Sequence, residues 1–219
     1  MNKRRYDLVV FDWDGTLLDS TAAIVRAIQA ASRAVGVAEP SDERARYVIG
    51  MGLRDALMHA VPDLPESRYD ELVAAYRHHY LSGDHELTLF SGVESLLQSL
   101  QSENRWVAVA TGKSRLGLDR ALGHSGLARY FDTTRTADET RSKPHPQMLE
   151  EIMRQFAIEP ERTLMIGDTT HDLLMAKNAG ASGLAVTHGA HPLNALLECQ
   201  PAGVVSSISE MTDWIRKNG

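Results

Sequence analysis

Residues 6–20 read YDLVVFDWDGTLLDS, and the fold turns on how this stretch is read. Leu8 to Phe11 form an apolar run of strand length, and Gly15 is the kind of residue that ends a strand buried on both faces. Asp12 and Asp14 therefore stand just past the strand's carboxyl end. If the backbone stays extended through Trp13, the two carboxylates share one space and the indole faces elsewhere. Two like charges held that close call for a cation, a bound proton or a lysine nearby, a demand typical of a reaction site. The competing reading is a solvated Asp–Gly turn, since both residues favour turns.

After Ser20 the pattern changes to helical spacing. Ile24, Ile28, Ala31 and Val35 mark one helix face, with Gly36 as a stop, and "LRDALMHAV" and "ESRYDELVAAYRHHYL" continue the periodicity on either side of the turn-like "PDLPE". Residues 20–84 thus predict a small all-helical unit, and "SGDHELTLFSGV" a returning linker. Beyond it the chain alternates: helix at "VESLLQSL", strand at "WVAVA", helix after Lys113, a short strand near "FDTT", helix at "PQMLEEIMRQF" and strand at "TLMIG". Helix "DLLMAKNA", strand "GLAVT", helix "LNALLE", strand "GVVS" and a last helix complete it. Such alternation predicts an α/β fold with a doubly wound, parallel, Rossmann-like sheet, formed by residues 1–19 and 85–219 around the inserted helical unit 20–84.

Composition narrows the function. With 43% hydrophobic residues the chain can bury a real core, and a formal net charge of −6 argues against a nucleic-acid-binding surface. The one basic run, Lys3-Arg4-Arg5, reads as a solvated lead-in. The longest apolar stretches are strand-sized and Asp12 interrupts the amino terminus, so neither a membrane span nor an export signal is expected, and the location expected is cytoplasmic. Cys199 stands alone, which excludes an internal disulfide and a cysteine cluster for zinc.

Sites in doubly wound sheets lie at the carboxyl ends of the strands. That rule collects Asp12 and Asp14, then Thr111-Gly112-Lys113 after "WVAVA", Lys143 before a helix opening with Pro144, and Gly167-Asp168 after "TLMI", with Asp172 close behind. Each has a structural reading too: Thr111 as a helix cap, Lys143 as a solvated residue, Asp168 or Asp172 as the cap of "DLLMAKNA". Their convergence on one rim is harder to dismiss than any single one.

Taken together and in order, "DWDGTLLDS", "ATGKS", "KPHP" and "GDTTHD" resemble the haloacid dehalogenase-like hydrolase superfamily, specifically its phosphatases with a helical cap, over nearly the whole chain. The resemblance implies a magnesium-dependent enzyme in which Asp12 attacks phosphorus and Asp14 serves as general acid and base. It implies further that Thr111 binds phosphate, that Lys143 balances charge, and that Asp12, Asp14, Asp168 and Asp172 form the Mg²⁺ site. Hard oxygen ligands suit that ion, and Asp14, crowded against Asp12, would hold the proton that a leaving alkoxide needs.

Gly112 and Lys113 are expected beside the substrate. The segment "YVIGMGLRDAL" resembles the cap loop of phosphoglycolate phosphatases, so the expected substrate is a small phosphorylated metabolite, 2-phosphoglycolate first. In that segment Gly50 and Gly52 would admit a ligand and Arg54 would pair with its carboxylate, unless Arg54 merely begins a helix in solvent. Pyrophosphate and nucleoside monophosphates are alternatives. The second aspartate argues against a dehalogenase, and the absence of lysine from residues 20–84 against a phosphonoacetaldehyde hydrolase. A sugar phosphomutase stays open, as does a silent phosphate-binding protein. A signalling receiver domain fits poorly, because its phosphorylated aspartate follows a middle strand. The chain is expected to act as a monomer or homodimer.

Overall fold

The structure, a computed structural model, describes residues 5–83 and 86–219. Its strands β1 (Leu8–Phe11), β2 (Trp106–Thr111), β3 (Thr133–Thr136), β4 (Thr163–Gly167), β5 (Ser182–Val186) and β6 (Gly203–Val205) form a six-stranded sheet in the order β3-β2-β1-β4-β5-β6. All its pairings are parallel. The four residues of β1 are all fully buried, as an uninterrupted apolar run at the centre of a two-sided sheet requires.

Alternate residues of the strands face opposite layers. Val9, Phe11, Val107, Val109, Leu164 and Ile166 pack on one face, with α5 (Val93–Ser102), α6 (Arg115–Ser125) and α10 (Ile208–Asn218). Leu8, Val10, Ala108, Ala110 and Met165 pack on the other, with α7 (Gln147–Phe156) and α8 (Thr170–Asn178). The short α9 (Leu193–Glu198) covers Ala185 and Leu173. Register then places the strand ends: Phe11 is opposite Val109 on one side and Ile166 on the other, so Asp12, Thr111 and Asp168 leave the sheet within one residue of the same level. The chain turns to opposite directions on the two sides of β1, the crevice where ligands of such sheets bind.

Between β1 and β2 lie α1 (Thr21–Ala34), α2 (Asp42–Tyr47), α3 (Leu53–Ala60) and α4 (Tyr69–Leu81). The expected face of α1 is the buried one, and Ile24, Ile28, Ala31 and Val35 join Leu57 and Leu72 in an apolar cluster separate from those on the sheet. The periodicity did not reveal α2. It is short, Ala45 is its one buried residue, and the Ser41 hydroxyl starts it by accepting the Arg44 N–H at 3.2 Å. The expected helix at 66–81 opens with a 3-10 turn, Glu66–Arg68, before α4.

The helices leave and rejoin the sheet through paired backbone, Asp19 N–H donating to Thr88 at 2.9 Å and Phe90 N–H to Leu17 at 3.0 Å. The expected boundary between residues 84 and 85 lies outside the described residues, as do Lys3 and Arg4 of the basic run. Among the described residues no helix is long and apolar enough to cross a membrane.

Candidate active site

At the carboxyl end of β1 the Asp12 carboxylate is buried beside the Lys143 ammonium, with Oδ1 and Nζ 2.8 Å apart. The same Nζ lies 2.6 Å from Asp172 Oδ1, and none of the three side chains is more than 1% exposed. Asp168, off the end of β4, accepts the Thr16 hydroxyl at 2.8 Å and the Ala190 N–H at 2.7 Å. Asp172 also accepts the N–H and hydroxyl of Thr169 with its second oxygen, at 3.1 and 2.6 Å, closing a reciprocal cap at the start of α8. The capping role of Asp172 is thus carried by one oxygen, and the other lies on Lys143. Gly15 makes room for the group: its φ is +77°, and a Cβ there would lie 2.3 Å from Asp168.

Burial drives the Asp12 carboxyl well above its ordinary pKa; Lys143 opposes this, and Asp172 and Asp168 reinforce it. Burial and then Asp172 push Asp168 up to about 7, against the N–H of Ala190 and the Thr16 hydroxyl. Burial would lower the Lys143 ammonium, but Asp12 and Asp172 outweigh it and the net shift is upward. Two carboxylates thus share one ammonium with a third, Asp168, close by, and Asp12 Oδ2 has no hydrogen-bond donor. Ligand oxygens of Asp12, Asp168 and Asp172 lie within 4.8 Å of one another. An orphaned buried oxygen, excess negative charge and an all-oxygen donor set fit a hard divalent cation.

Asp14 departs from its expected setting. The group does not lean on Asp12, whose repelling neighbours are Asp172 and Asp168. Instead both Asp14 oxygens sit 3.1 Å from Lys113 Nζ, and Oδ1 accepts the Ser20 hydroxyl at 2.8 Å. The reason is the turn after Trp13, whose carbonyl accepts the N–H groups of Leu17 and Leu18 and so ends the extended backbone. Trp13 does face elsewhere, into the apolar layer below, with its ring centre 6.1 Å from Phe131. Lys113 also reaches the Tyr80 hydroxyl of α4 at 3.1 Å. Thr111 is buried and is not a helix cap: Ser114 caps α6, while the Thr111 oxygen accepts the Lys113 N–H at 3.2 Å and keeps its own proton to donate.

Other expectations fare differently. A Cβ on Gly112 would lie 2.4 Å from the Met51 carbonyl and 2.5 Å from that of Gly50, so this glycine admits the α2–α3 loop. Gly52 donates its N–H to Ser142 at 2.7 Å. Gly52 therefore serves contact between helices and sheet, while Gly50 and Gly112 make that contact and also line the cavity described below. Arg54 is a correction too: it is half-exposed at the start of α3, pairs with Asp70, and does not line the cavity described below. Position on the first turn of α3 turns it outward along the helical layer. His171 does not line that cavity. Its Nε2 donates to the Tyr47 carbonyl at 2.7 Å, and His191 Nε2 does the same at 3.0 Å.

Sequence reasoning missed Ser20, Thr16, Ala190 and Tyr80 as partners of the site. Thr16 and Ser20 lie inside the quoted motif and carried a signal as hydroxyls beside carboxylates. Ala190 acts through its backbone, and nothing in a helical tyrosine pattern singles out Tyr80.

A cavity of about 510 Å³ opens from Asp12 and Asp14 toward the helical insertion, with Thr111, Gly112 and Lys113 on its sheet side and α1, α3 and α4 on the other. The family model described as "Haloacid dehalogenase-like hydrolase" matches residues 9–186. A protein of Dickeya dadantii named "Probable phosphatase IndB" is 36% identical over 93% of this chain and 91% of its own length. A Vibrio vulnificus protein named "Phosphoglycolate phosphatase" is 31% identical over 98% of both chains. Among solved structures, a haloacid dehalogenase-like family hydrolase from Streptococcus pneumoniae superposes with a TM-score of 0.82 at 26% identity, covering 95% of this chain and 98% of that one.

Proposed function

We propose a reaction for this chain from one premise: it belongs to the haloacid dehalogenase-like hydrolase family, and it is a phosphatase of that family. The reaction is magnesium-dependent hydrolysis of a phosphomonoester through a phosphorylated Asp12, in the cytoplasm, on a small phosphorylated metabolite. The observation that carries it is the state of Asp12, a buried carboxylate with one oxygen on Lys143 and the other without a donor, at the floor of the cavity. A nucleophile needs such an uncommitted oxygen.

Asp12 attacks phosphorus, the ester P–O bond breaks, and Asp14 gives its proton to the departing oxygen. Lys113 then stabilises the carboxylate left behind. Asp14 next takes a proton from the water that hydrolyses the aspartyl phosphate, returning Asp12 and releasing inorganic phosphate. Lys143 and the Thr111 hydroxyl hold the phosphoryl oxygens. Mg²⁺, held by Asp12, Asp168 and the Asp14 carbonyl with Asp172 beside them, would supply the positive charge that lets an anionic nucleophile meet an anionic ester. Residues 20–84 act as the cap, closing over this rim and excluding water.

Phosphate found on the Asp12 peptide by mass spectrometry of enzyme quenched in turnover, with activity lost to chelator and restored by Mg²⁺, is the expected result. Turnover at full rate in excess chelator would defeat it. 2-Phosphoglycolate belongs in the substrate panel through the Vibrio relative's name, but Arg54 is not placed to recognise it. Pyrophosphate and nucleoside monophosphates complete the panel.

A further inference from the structure

Between its polar floor and its solvent edge, the cavity above Asp12 has mostly apolar walls. Ile28 and Leu57 reach it from the buried cluster of the insertion, Met51 and Tyr76 from the same helical layer, and Leu89 from the sheet side, with the exposed Leu116 at its edge. The cations near its floor are already engaged: Lys143 by Asp12 and Asp172, and Lys113 by Asp14 and Tyr80. The other basic side chains that line it, Arg77, Arg120 and His124, are exposed and stand at its solvent edge.

A two-carbon leaving group bearing a carboxylate would therefore lose water against aliphatic side chains without gaining a cation of its own. It would also fill little of about 510 Å³, a volume in the range that encloses much larger organic ligands. An alkyl or aryl tail has the opposite balance, since every methylene taken from water onto these walls is favourable.

We propose that the site takes phosphomonoesters of apolar alcohols, the alkyl or aryl tail lying along Met51, Ile28, Leu57 and Tyr76 while the phosphoryl group meets Asp12. This rests on the phosphatase reading only for the placing of the phosphoryl end.

Binding and turnover separate the two readings. Calorimetric titration of the Mg²⁺-loaded protein with methyl-, butyl- and hexylphosphonate, which have no oxygen leaving group, reads the tail alone. Full burial is worth about fourfold in affinity per methylene, so hexylphosphonate should bind at least about tenfold more tightly than methylphosphonate. A smaller ratio would overturn the proposal. Met51→Gln, which keeps the side chain's size and puts an amide in the wall, should cut that ratio by about threefold; an unchanged ratio would place the tail elsewhere and overturn it as well. In turnover, hexyl phosphate should exceed both methyl phosphate and 2-phosphoglycolate in kcat/KM, and the reverse order would count against the apolar tail. Steep binding with no phosphate release from any ester would refute the phosphatase reading and leave the cavity's preference standing.

Discussion

The floor and the walls of this cavity are built by different means. On the floor, Asp12, Lys143, Asp168 and Asp172 come from three distant parts of the chain, yet each is fixed by charge or hydrogen bonds within 2.8 Å. The walls are side chains of a separate apolar cluster, held by packing without directional bonds. Directional bonds tolerate little displacement, whereas an apolar wall accepts changes of shape that keep its volume. On the proposed function, chemistry falls to the strand ends and choice of leaving group to the inserted helices. Edits to the floor should change the rate for every ester alike, and edits to the wall should change the ratio between esters.

The sharpest test of that division is Asp12→Asn. Phosphate release should fall by more than about 10⁴-fold for every ester, because the step itself is lost. The same protein should show a raised urea midpoint in chelator, since burial and the neighbouring Asp172 and Asp168 disfavour a charge at this position. An ester-dependent loss would break the comparison.

Asp14→Asn comes next, with a fall of about 10²- to 10⁴-fold for alkyl phosphates. The loss should be much smaller for p-nitrophenyl phosphate, whose leaving group needs no proton, and equal losses would remove Asp14 as the acid. Mg²⁺ should then raise the melting temperature. At a hundredfold excess over Kd the gain is about 2.7 kcal/mol, or roughly 5–10 °C for a chain of this size, and Asp168→Asn should abolish it. Smallest is Arg54→Ala. Its pair with Asp70 is exposed, so stability should change by less than about 1 kcal/mol and rates for 2-phosphoglycolate and hexyl phosphate not at all. A selective loss for 2-phosphoglycolate would return Arg54 to the wall.

Much of the floor was legible because strand ends announce themselves. A buried apolar run stopping at Asp12, another at Thr111 and a third at Gly167-Asp168 left the sheet's parallel register to do the rest. By position Lys143 was legible as a residue before a proline, and through the resemblance carried by KPHP as a charge-balancing lysine; its grip on two carboxylates is a tertiary fact. The walls were far less legible. Helical periodicity marks a buried face without saying whether it meets another helix or a cavity, and Ile28 and Leu57 do both. Gly52 and Arg54 lie off the cavity that Gly50 lines, for a related reason: a glycine reports close approach, and only the fold says of what.

Asp172 ties two properties of the molecule into one side chain. Its Oδ2 secures the first turn of α8 through Thr169, and its Oδ1 holds the ammonium that holds Asp12. A substitution here is felt at once as a frayed helix and as a loosened lysine. In a mutational search for variants that trade robustness against rate, this position offers no such exchange: Asp172→Asn can keep an oxygen for one neighbour, but not a charge for both. Directed evolution of the chain toward new esters should accordingly leave Thr169, Asp172 and Lys143 as an unmoving trio while the residues around Met51 drift.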